Sequence, residues 1–305
     1  MGNAATPVPQ RTALYPQKLP VRRRDLVFDQ QHIAFDRWHP QGNQTGHLFN
    51  GLSITFPKGE RHFVHSVRHY MDRMQQEAPQ FMEQIRGFMG QESIHGREHE
   101  RWNQAMAAAG YPVALLERIV GTVLDGFVYK LPPVVQLANT AAAEHLTAIG
   151  ADLVLADPQV LAGVDPKAAS FWRWHAIEET EHKAVAYEVY RTVATRDLGP
   201  VGAYLVRVAT MLLASFLLNA TGTVFQLVLV AHDRKLTDLR GWSRFLKVQL
   251  LSPGFVWRLL IPYLRYYLPG FHPWQHDNHM LVEQWKQANE PSPSSSYGSP
   301  PSRQA

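Results

Sequence analysis

Two short segments of the chain carry a glutamate and a histidine at helical spacing. In "QESIHGREHE" Glu92 and His95 are three residues apart, and in "WHAIEETEHK" Glu179 and His182 repeat that spacing 87 residues later. Residues three or four apart lie on the same side of a helix, at about 100° per residue. Each pair can therefore direct a carboxylate and an imidazole toward one point, which is the ligand chemistry of a divalent metal ion.

Two further glutamates occur in helical patterns that predict burial. Glu60 shares a stripe with Val64 and Val67, and Glu144 lies among small residues in "LANTAAAEHLTAIGA". A buried carboxylate costs about 20 kcal/mol in the idealised limit and still several in practice, whereas a domain is stable by only about 5 to 15 kcal/mol. Two divalent cations would balance four glutamates, so the sequence predicts a site for two metals held by carboxylates and neutral imidazoles.

The second motif leaves some ligand assignments open. Either Glu178 or Glu179 can share an arc with His182 and with His175, which lies four residues before Glu179. We prefer Glu179 because it repeats the spacing of the first motif. His99 follows His95 by four residues and is an additional ligand, a hydrogen-bond partner of a ligand, or a core histidine, with the last two favoured.

A solvated bundle face with internal ion pairs is the alternative to a metal site. One E-x-x-H pair would suit that interpretation, but Trp172 and Trp174 beside the second pair favour burial. The histidines His62, His65 and His69 form another tempting stripe. They lie about 140° to 200° around their helix from its apolar face, so we expect them at the surface.

The elements that position these residues are predicted to be helices. Pro57 suits a helix start, Gly110 and Pro112 suit a helix end, and Asp165 followed by Pro166 is typical of an N-cap with proline at the first helical position. The predicted helices cover approximately residues 57–75, 79–109, 112–130, 133–155 and 165–196, and "RDLGP" is predicted to end the last of these. The fold class predicted is all-α, a ferritin-like four-helix bundle with a di-metal site and additional apolar C-terminal helices.

Composition limits the other functions. The 305 residues include no cysteine, which excludes disulfides, zinc-thiolate sites, iron-sulfur clusters and thiol nucleophiles. Net charge is +4 and the basic residues are scattered, so no nucleic-acid partner is expected. The first 25 residues lack an apolar core of a secretory signal, and we expect a cytoplasmic protein associated with the inner face of the membrane through its apolar segment.

That apolar segment is residues 208–231, which carry no formal charge and are long enough to span a bilayer. A buried core helix and a hydrophobic partner surface are alternatives, favoured by Asn219 and Gln226. Residues 255–271 mix aromatics with arginines, as interfacial segments do. We expect an irregular arm over 1–50, the metal-binding bundle over 51–200, apolar helices packed on the bundle or on a membrane over 201–289, and a disordered tail over 290–305.

The ligand order resembles known families. Residues 60–182 are similar to the core of ferritin-like di-iron oxygenases, at Glu60, Glu92, His95, Glu144, Glu179 and His182. His175 is similar to the seventh ligand of bacterial arylamine N-oxygenases. Over most of residues 20–285, with "GQESIHGREH" and "WHAIEETEHK" as signatures, the chain resembles a bacterial family of predicted metal-dependent hydrolases.

From the ligand order we expect an O2-activating di-iron enzyme that hydroxylates or N-oxygenates a small, lipophilic organic substrate. Iron is the expected metal, with manganese and zinc as alternatives, and an external electron donor would reduce it. The first alternative is a hydrolase with a water activated by two metals. The second is a non-enzymatic, metal-stabilised and membrane-associated protein. The sequence leaves open the substrate, the electron-transfer partner and the oligomeric state, a homodimer included.

Overall fold

The computed structural model describes residues 18–252 and 254–289, and over these residues the chain forms helices and loops without strands. The helices are α1 Asn43–Arg68, α2 Met71–Glu77, α3 Met82–Ala108, α4 Val113–Gly126, α5 Pro133–Ala156, α6 Pro166–His182, α7 Val185–His232, α8 Leu239–Leu250, α9 Phe255–Arg265 and α10 His279–Asn289. The predicted all-α fold is confirmed. The predicted disordered tail lies outside the described residues.

Four long rods form the ferritin-like bundle. Helix α1 packs along α3, and α5 packs along α6 and the start of α7, so the two pairs enclose a common interior. One apolar cluster, which includes Val67, Ile85 and Tyr190, fills one end of this interior. A second, which includes Ile54 and Trp102, fills the other end. The bundle is therefore held by apolar burial on both sides of its middle.

Helix α1 begins much earlier than the sequence predicts. Pro57 lies inside it instead of at its start. Proline cannot donate the helical hydrogen bond to the carbonyl four residues back, that of Ser53. The side-chain amide of Asn103 on α3 donates to the Ser53 carbonyl oxygen instead, at 3.2 Å. The neighbouring helix thus satisfies the group that Pro57 leaves unpaired.

Helix α1 begins at Asn43, inside the irregular arm predicted for residues 1–50, of which residues 1–17 lie outside the described residues. The polar residues at the start of α1 are typical of a loop, but their hydrogen-bond partners lie far away in the chain. The Gln44 carbonyl accepts from Gln226 at 2.8 Å, and His47 lies 2.7 Å from Asp233. These partners on α7 and just beyond it satisfy the Gln44 carbonyl and the His47 ring, whereas the buried side-chain amide of Gln44 has no hydrogen-bond partner within the described residues.

Helix α6 begins as predicted, because the Asp165 side chain accepts hydrogen bonds from the backbone of Lys167 and Ala168. Its predicted continuation to about residue 196 is interrupted after His182, and α7 starts at Val185. The expected break at "RDLGP" is a kink inside α7: Gly199 has a φ of 68°, and Pro200 follows it. Glycine tolerates this left-handed conformation, and proline then restarts the helix.

The second half of α7 is the predicted apolar segment. By length and composition alone, the stretch Pro166–His232, which includes α6 and α7, could cross a membrane, and 28% of its most apolar window is buried inside the protein. One side packs on the bundle, where Phe225 and Leu229 are fully buried. The opposite side exposes Leu212 and Phe216. Helix α8 packs on α1 and α9, and α9 packs on α5.

Candidate metal centre

The seven predicted ligands meet in the middle of the bundle, between the two apolar clusters. Helix α1 supplies Glu60, α3 supplies Glu92 and His95, α5 supplies Glu144, and α6 supplies His175, Glu179 and His182. All are buried, each with at most 5% of its surface exposed. The E-x-x-H spacing therefore places its residues where the helical geometry requires, on inward-facing sides.

Glu179 is central to the cluster. Its Oε1 lies 2.9 Å from His175 Nε2 and 3.5 Å from His95 Nδ1, and its Oε2 lies 3.5 Å from His182 Nε2. His182 Nε2 is also 3.1 Å from Glu92 Oε1. Glu144 is the most peripheral carboxylate, with Oε2 3.4 Å from His182 Nε2. These nitrogens and oxygens are close enough to share bound ions.

Most of these atoms have no hydrogen-bond partner within the described residues. This holds for both oxygens of Glu60, Glu92 and Glu144, for His95 Nδ1 and for His182 Nε2. Leaving one buried polar atom unpaired costs about 1 to 3 kcal/mol, and more for a charged group. Eight such atoms converging on one place are explained by cations, since each atom is a good ligand for a divalent metal ion. The residues fit the predicted pair of metals.

The pKa values of the buried glutamates indicate that the surrounding side chains supply too little positive charge for all of them. Burial and the neighbouring Glu92 raise the pKa of Glu60 and of Glu144 well above the usual range. Burial would also raise the pKa of Glu179, but His182 and His175 outweigh it and hold that pKa well below the usual value. Without a cation the cluster therefore favours protonation of two of its carboxylates.

Small size at one position allows Glu60 to reach the cluster. A Cβ atom at Gly96 of α3 would lie 3.3 Å from Glu60 Oε2, closer than most Cβ contacts, so the carboxylate would have to move by a few tenths of an ångström. Glycine between His95 and Arg97 thus leaves space for a carboxylate from α1, and for whatever that carboxylate binds.

Two further side chains orient the histidines. His95 Nε2 lies 3.0 Å from Glu178 Oε2, and His182 Nδ1 lies 2.9 Å from Gln91 Oε1. Each partner fixes the ring so that the other nitrogen points into the cluster, as is usual for metal-binding histidines. Glu178 therefore lies behind His95, while Glu179 lies among the predicted ligands. The sequence did not predict Gln91, because a glutamine beside a glutamate carries no spacing signal.

The N-terminal arm and α10 neutralise the charge behind these partners. Arg24 donates two hydrogen bonds of 2.7 Å to Glu181 and one of 3.2 Å to Glu178. Lys286 lies 3.0 Å from Glu181 as well. Two carboxylates thus face two basic side chains, which leaves the four glutamates of the cluster as the candidate ligands for the predicted metals.

His99 contacts a predicted ligand. Its Nε2 lies 2.6 Å from His175 Nδ1, and its Nδ1 lies 2.9 Å from Ser53 Oγ. Burial and the nearby His175 lower the pKa of His99 well below its usual value, so this histidine is neutral. One ring nitrogen of His99 also lies within 4.8 Å of a carboxylate oxygen of Glu60 and of a ring nitrogen of His175. The hydrogen bonds favour the role of a partner that orients His175.

One histidine prediction is wrong. His62 was expected at the surface, but it is buried against Tyr129, with ring centres 5.3 Å apart, because α4 and the turn after it cover that side of α1. Burial lowers its pKa to about 4. His65 and His69 are exposed as predicted.

A cavity of about 490 Å³ reaches the cluster from one side. His175 and Glu179 form part of its wall, and Thr147 beside them donates to Glu179 Oε2 at 2.6 Å. The rest of the lining is mainly apolar and comes from α1, α5, α6, α7 and α9, with Gln249 of α8 and Val160 of the loop before α6. The rings of Phe56 and Trp172 lie 5.1 Å and 6.2 Å from the ring of His175. Its size is within the range of sites for small organic ligands.

Comparison with known proteins gives one match. A family described as "Predicted metal-dependent hydrolase" matches residues 22–277, which is most of the chain. Searches of curated proteins and of solved structures found no match. The family description agrees with the predicted dependence on metal ions. The identity of the metal, the electron donor and the similarity to arylamine N-oxygenases stay predictions.

Proposed function

Because the chain belongs to the family of predicted metal-dependent hydrolases, we propose that it is a two-metal enzyme that hydrolyses a lipophilic substrate. The observation that carries the proposal is the shared wall of the cavity and the cluster. His175 and Glu179 belong to both, so a ligand that fills the apolar cavity is brought to the buried carboxylates.

The proposed roles follow from the contacts. Glu60, Glu92, Glu144 and Glu179 would neutralise two divalent cations, and His95, His175 and His182 would complete their ligands. When bound, such cations polarise a substrate oxygen and lower the pKa of a water molecule. Glu178 and Gln91 hold two of the imidazoles in orientation through the nitrogens that face away from the cluster.

The cavity determines which substrates fit. Its walls offer few charged groups apart from the cluster, so a charged substrate would lose its hydration without gaining partners. An acyl chain or aromatic group loses little by entering and gains apolar contact. The reacting bond would lie at the end of the cavity where Thr147 and Glu179 meet.

Dioxygen activation by a di-iron centre is the second candidate. One observation favours it: the predicted ligands come from four helices in the order Glu, E-x-x-H, Glu, E-x-x-H, which is typical of di-iron bundles, and His175 is an addition to that pattern. In that case the apolar cavity would hold the compound to be oxidised, and an external electron donor would be required.

Metal content and reactivity together test the proposal. Protein purified without added metal would be analysed for iron, manganese and zinc, and then assayed with p-nitrophenyl esters and phosphates of increasing chain length. We expect about two metals per chain, hydrolysis that a chelator abolishes, and faster turnover of longer esters. A Glu92→Gln variant should lose both metal and activity.

The opposite results separate the candidates. A metal-loaded protein that hydrolyses none of these compounds, and whose absorption at 300 to 400 nm changes after reduction and exposure to air, would refute hydrolysis and support the oxygenase. Absence of stoichiometric metal would refute both.

A further inference from the structure

Helices α8 and α9 expose apolar side chains on one side. In α8, Leu239, Leu246 and Leu250 are 80%, 53% and 42% exposed. At helical spacing they lie within an arc of about 40°. In α9, Trp257 and Ile261 are about as exposed, at 60% and 62%. We call this surface, formed by the exposed residues of α8 and α9, the α8–α9 face.

The same segment is strongly basic. Residues 234–268 contain seven basic side chains and one acidic side chain, Asp238, which caps α8. The basic residues are Arg234, Lys235, Arg240, Arg244, Lys247, Arg258 and Arg265, and all are exposed. Arg258 pairs with Asp157, the residue after α5. An apolar stripe flanked by arginines and lysines is the pattern of helices that lie in the interface of a membrane.

The mouth of the cavity opens beside this face. Most cavity-lining residues are buried or half-buried, and the exposed ones are Asn219 and Thr223 of α7 with Val256 and Leu260 of α9. The opening therefore lies between α7 and α9. Val256 and Leu260 belong to the α8–α9 face, so apolar surface continues from the outside of the protein into the cavity.

We infer that the α8–α9 face docks on the surface of a bilayer that contains anionic phospholipids, with the cavity mouth turned toward the acyl chains. Charge favours this occupant. A second copy of the chain, paired symmetrically through the same face, would bring two strongly basic surfaces together. An anionic lipid surface attracts the same residues and accepts the apolar side chains between them.

This contact does not require a membrane-spanning helix. The inner side of α7 is packed on the bundle, where Gln226 donates to the Gln44 carbonyl, and Arg207 of α7 donates to the carbonyl of Leu268, just after α9, at 2.9 Å. Docking through α8 and α9 keeps these contacts. Passage of a substrate from the bilayer into the cavity rests on the proposed function, whereas the docking itself does not.

Site-specific labelling tests the docking, because a chain without cysteine gives no background. Leu264→Cys on α9 and Leu115→Cys on α4 would each carry an environment-sensitive fluorophore. Both leucines are 53% exposed, and α4 packs on α1 and α3, so the second variant is a matched control. Each protein would be mixed with vesicles of phosphatidylcholine alone or with phosphatidylglycerol added.

We expect the Leu264→Cys label to shift to shorter wavelength with anionic vesicles only, the shift to weaken at high salt, and the Leu115→Cys label to stay unchanged. Arg240→Gln together with Lys247→Gln should weaken vesicle binding by about twenty-fold or more, since each basic residue near such a surface contributes about fivefold. Both substitutions are at exposed positions and should leave the fold intact, which circular dichroism would check.

Three results would overturn the inference: no response at Leu264→Cys, an equal response at Leu115→Cys, or equal binding to neutral vesicles. A label at Leu264→Cys that is already shielded without vesicles, in a particle of twice the chain mass, would assign the face to a second copy instead. The vesicle assay needs no turnover, so a failure of the proposed hydrolysis would leave its result unchanged.

Discussion

Exchange of Glu178 and Glu179 for glutamine separates two roles that adjacent residues play. Glutamine keeps the shape of glutamate and removes its charge. Glu179 lies within 3.5 Å of three histidine nitrogens of the cluster, whereas Glu178 touches His95 from behind and is paired with Arg24. The two variants should therefore differ strongly in metal binding, although they remove the same charge from neighbouring positions.

The expected magnitudes follow from those contacts. Glu178→Gln replaces the charged hydrogen bond to His95 by a weaker, uncharged one. Mutation of such a supporting partner lowers metal affinity by about 10- to 100-fold, or about 1.4 to 2.7 kcal/mol. Glu179→Gln leaves one excess positive charge buried with the metals. That costs several kcal/mol, which corresponds to about a thousandfold or more in affinity.

Metal per chain after purification, followed by competition with a chelator of known affinity, measures both variants. Glu178→Gln should retain nearly stoichiometric metal that a chelator removes more easily than from the unaltered protein. Glu179→Gln should be purified with little metal. Equal retention in the two variants, or greater loss from Glu178→Gln, would refute the assignment of Glu179 to the cluster. Circular dichroism of both would exclude unfolding as the cause.

Three further predictions follow from the structure. Burial raises the pKa of Glu144, so its charged form is unfavourable in the metal-free protein, and Glu144→Gln should leave the melting temperature of that form unchanged or higher. The increase in melting temperature on adding metal, measured by calorimetry, should disappear in this variant. Gly150 lines the cavity, and a Cβ there would meet nothing within 4 Å, so Gly150→Leu should weaken binding of an uncharged fluorescent long-chain alcohol about tenfold with metal content unchanged. Hydrogen bonds from His47, Asn43 and Tyr111 outweigh burial and lower the pKa of Asp233 from 3.8 to about 2. Its ionised form therefore stabilises the fold above pH 4, and this contribution is lost as pH falls toward 2. Asp233→Asn should reduce the free energy of unfolding by about 1 to 2 kcal/mol at neutral pH, allowing for partial screening by water, and the difference from the unaltered protein should vanish in urea titrations at low pH.

Local spacing made the centre of the bundle predictable. The position of Glu92 relative to His95 fixes which side of a helix they share, and the cost of burying carboxylates predicts that they gather around cations. The N-cap of α6 was predictable for the same reason, since the Asp165 side chain accepts hydrogen bonds from backbone amides two and three residues later. These features depend on residues a few positions apart, and that is the range over which sequence patterns are informative.

The remainder depends on partners far apart in the chain. Helix α1 could not be traced back to Asn43, because the backbone carbonyl of Gln44 and the ring of His47 are paired near the end of α7, about 180 residues later. The role of Gln91 was equally hidden, since its amide also bonds Glu181 at 2.8 Å and the Arg22 carbonyl at 3.0 Å. Such contacts exist only once the helices have assembled.

Electrostatic balance links the arm and the last helix to the metal centre. The cluster needs four positive charges for its four glutamates, and any other carboxylate nearby would change that requirement. Glu178 and Glu181 lie directly behind the histidines with fully buried side chains, yet Arg24 from the arm and Lys286 from α10 balance them. The proposed count of two cations would thus depend partly on residues that do not contact the cluster. Without the positive charge of Arg24, the Glu178 carboxylate would favour a protonated His95, and a protonated imidazole does not bind a metal ion. We therefore expect the arm to stabilise the neutral, metal-binding form of His95 as well as the fold.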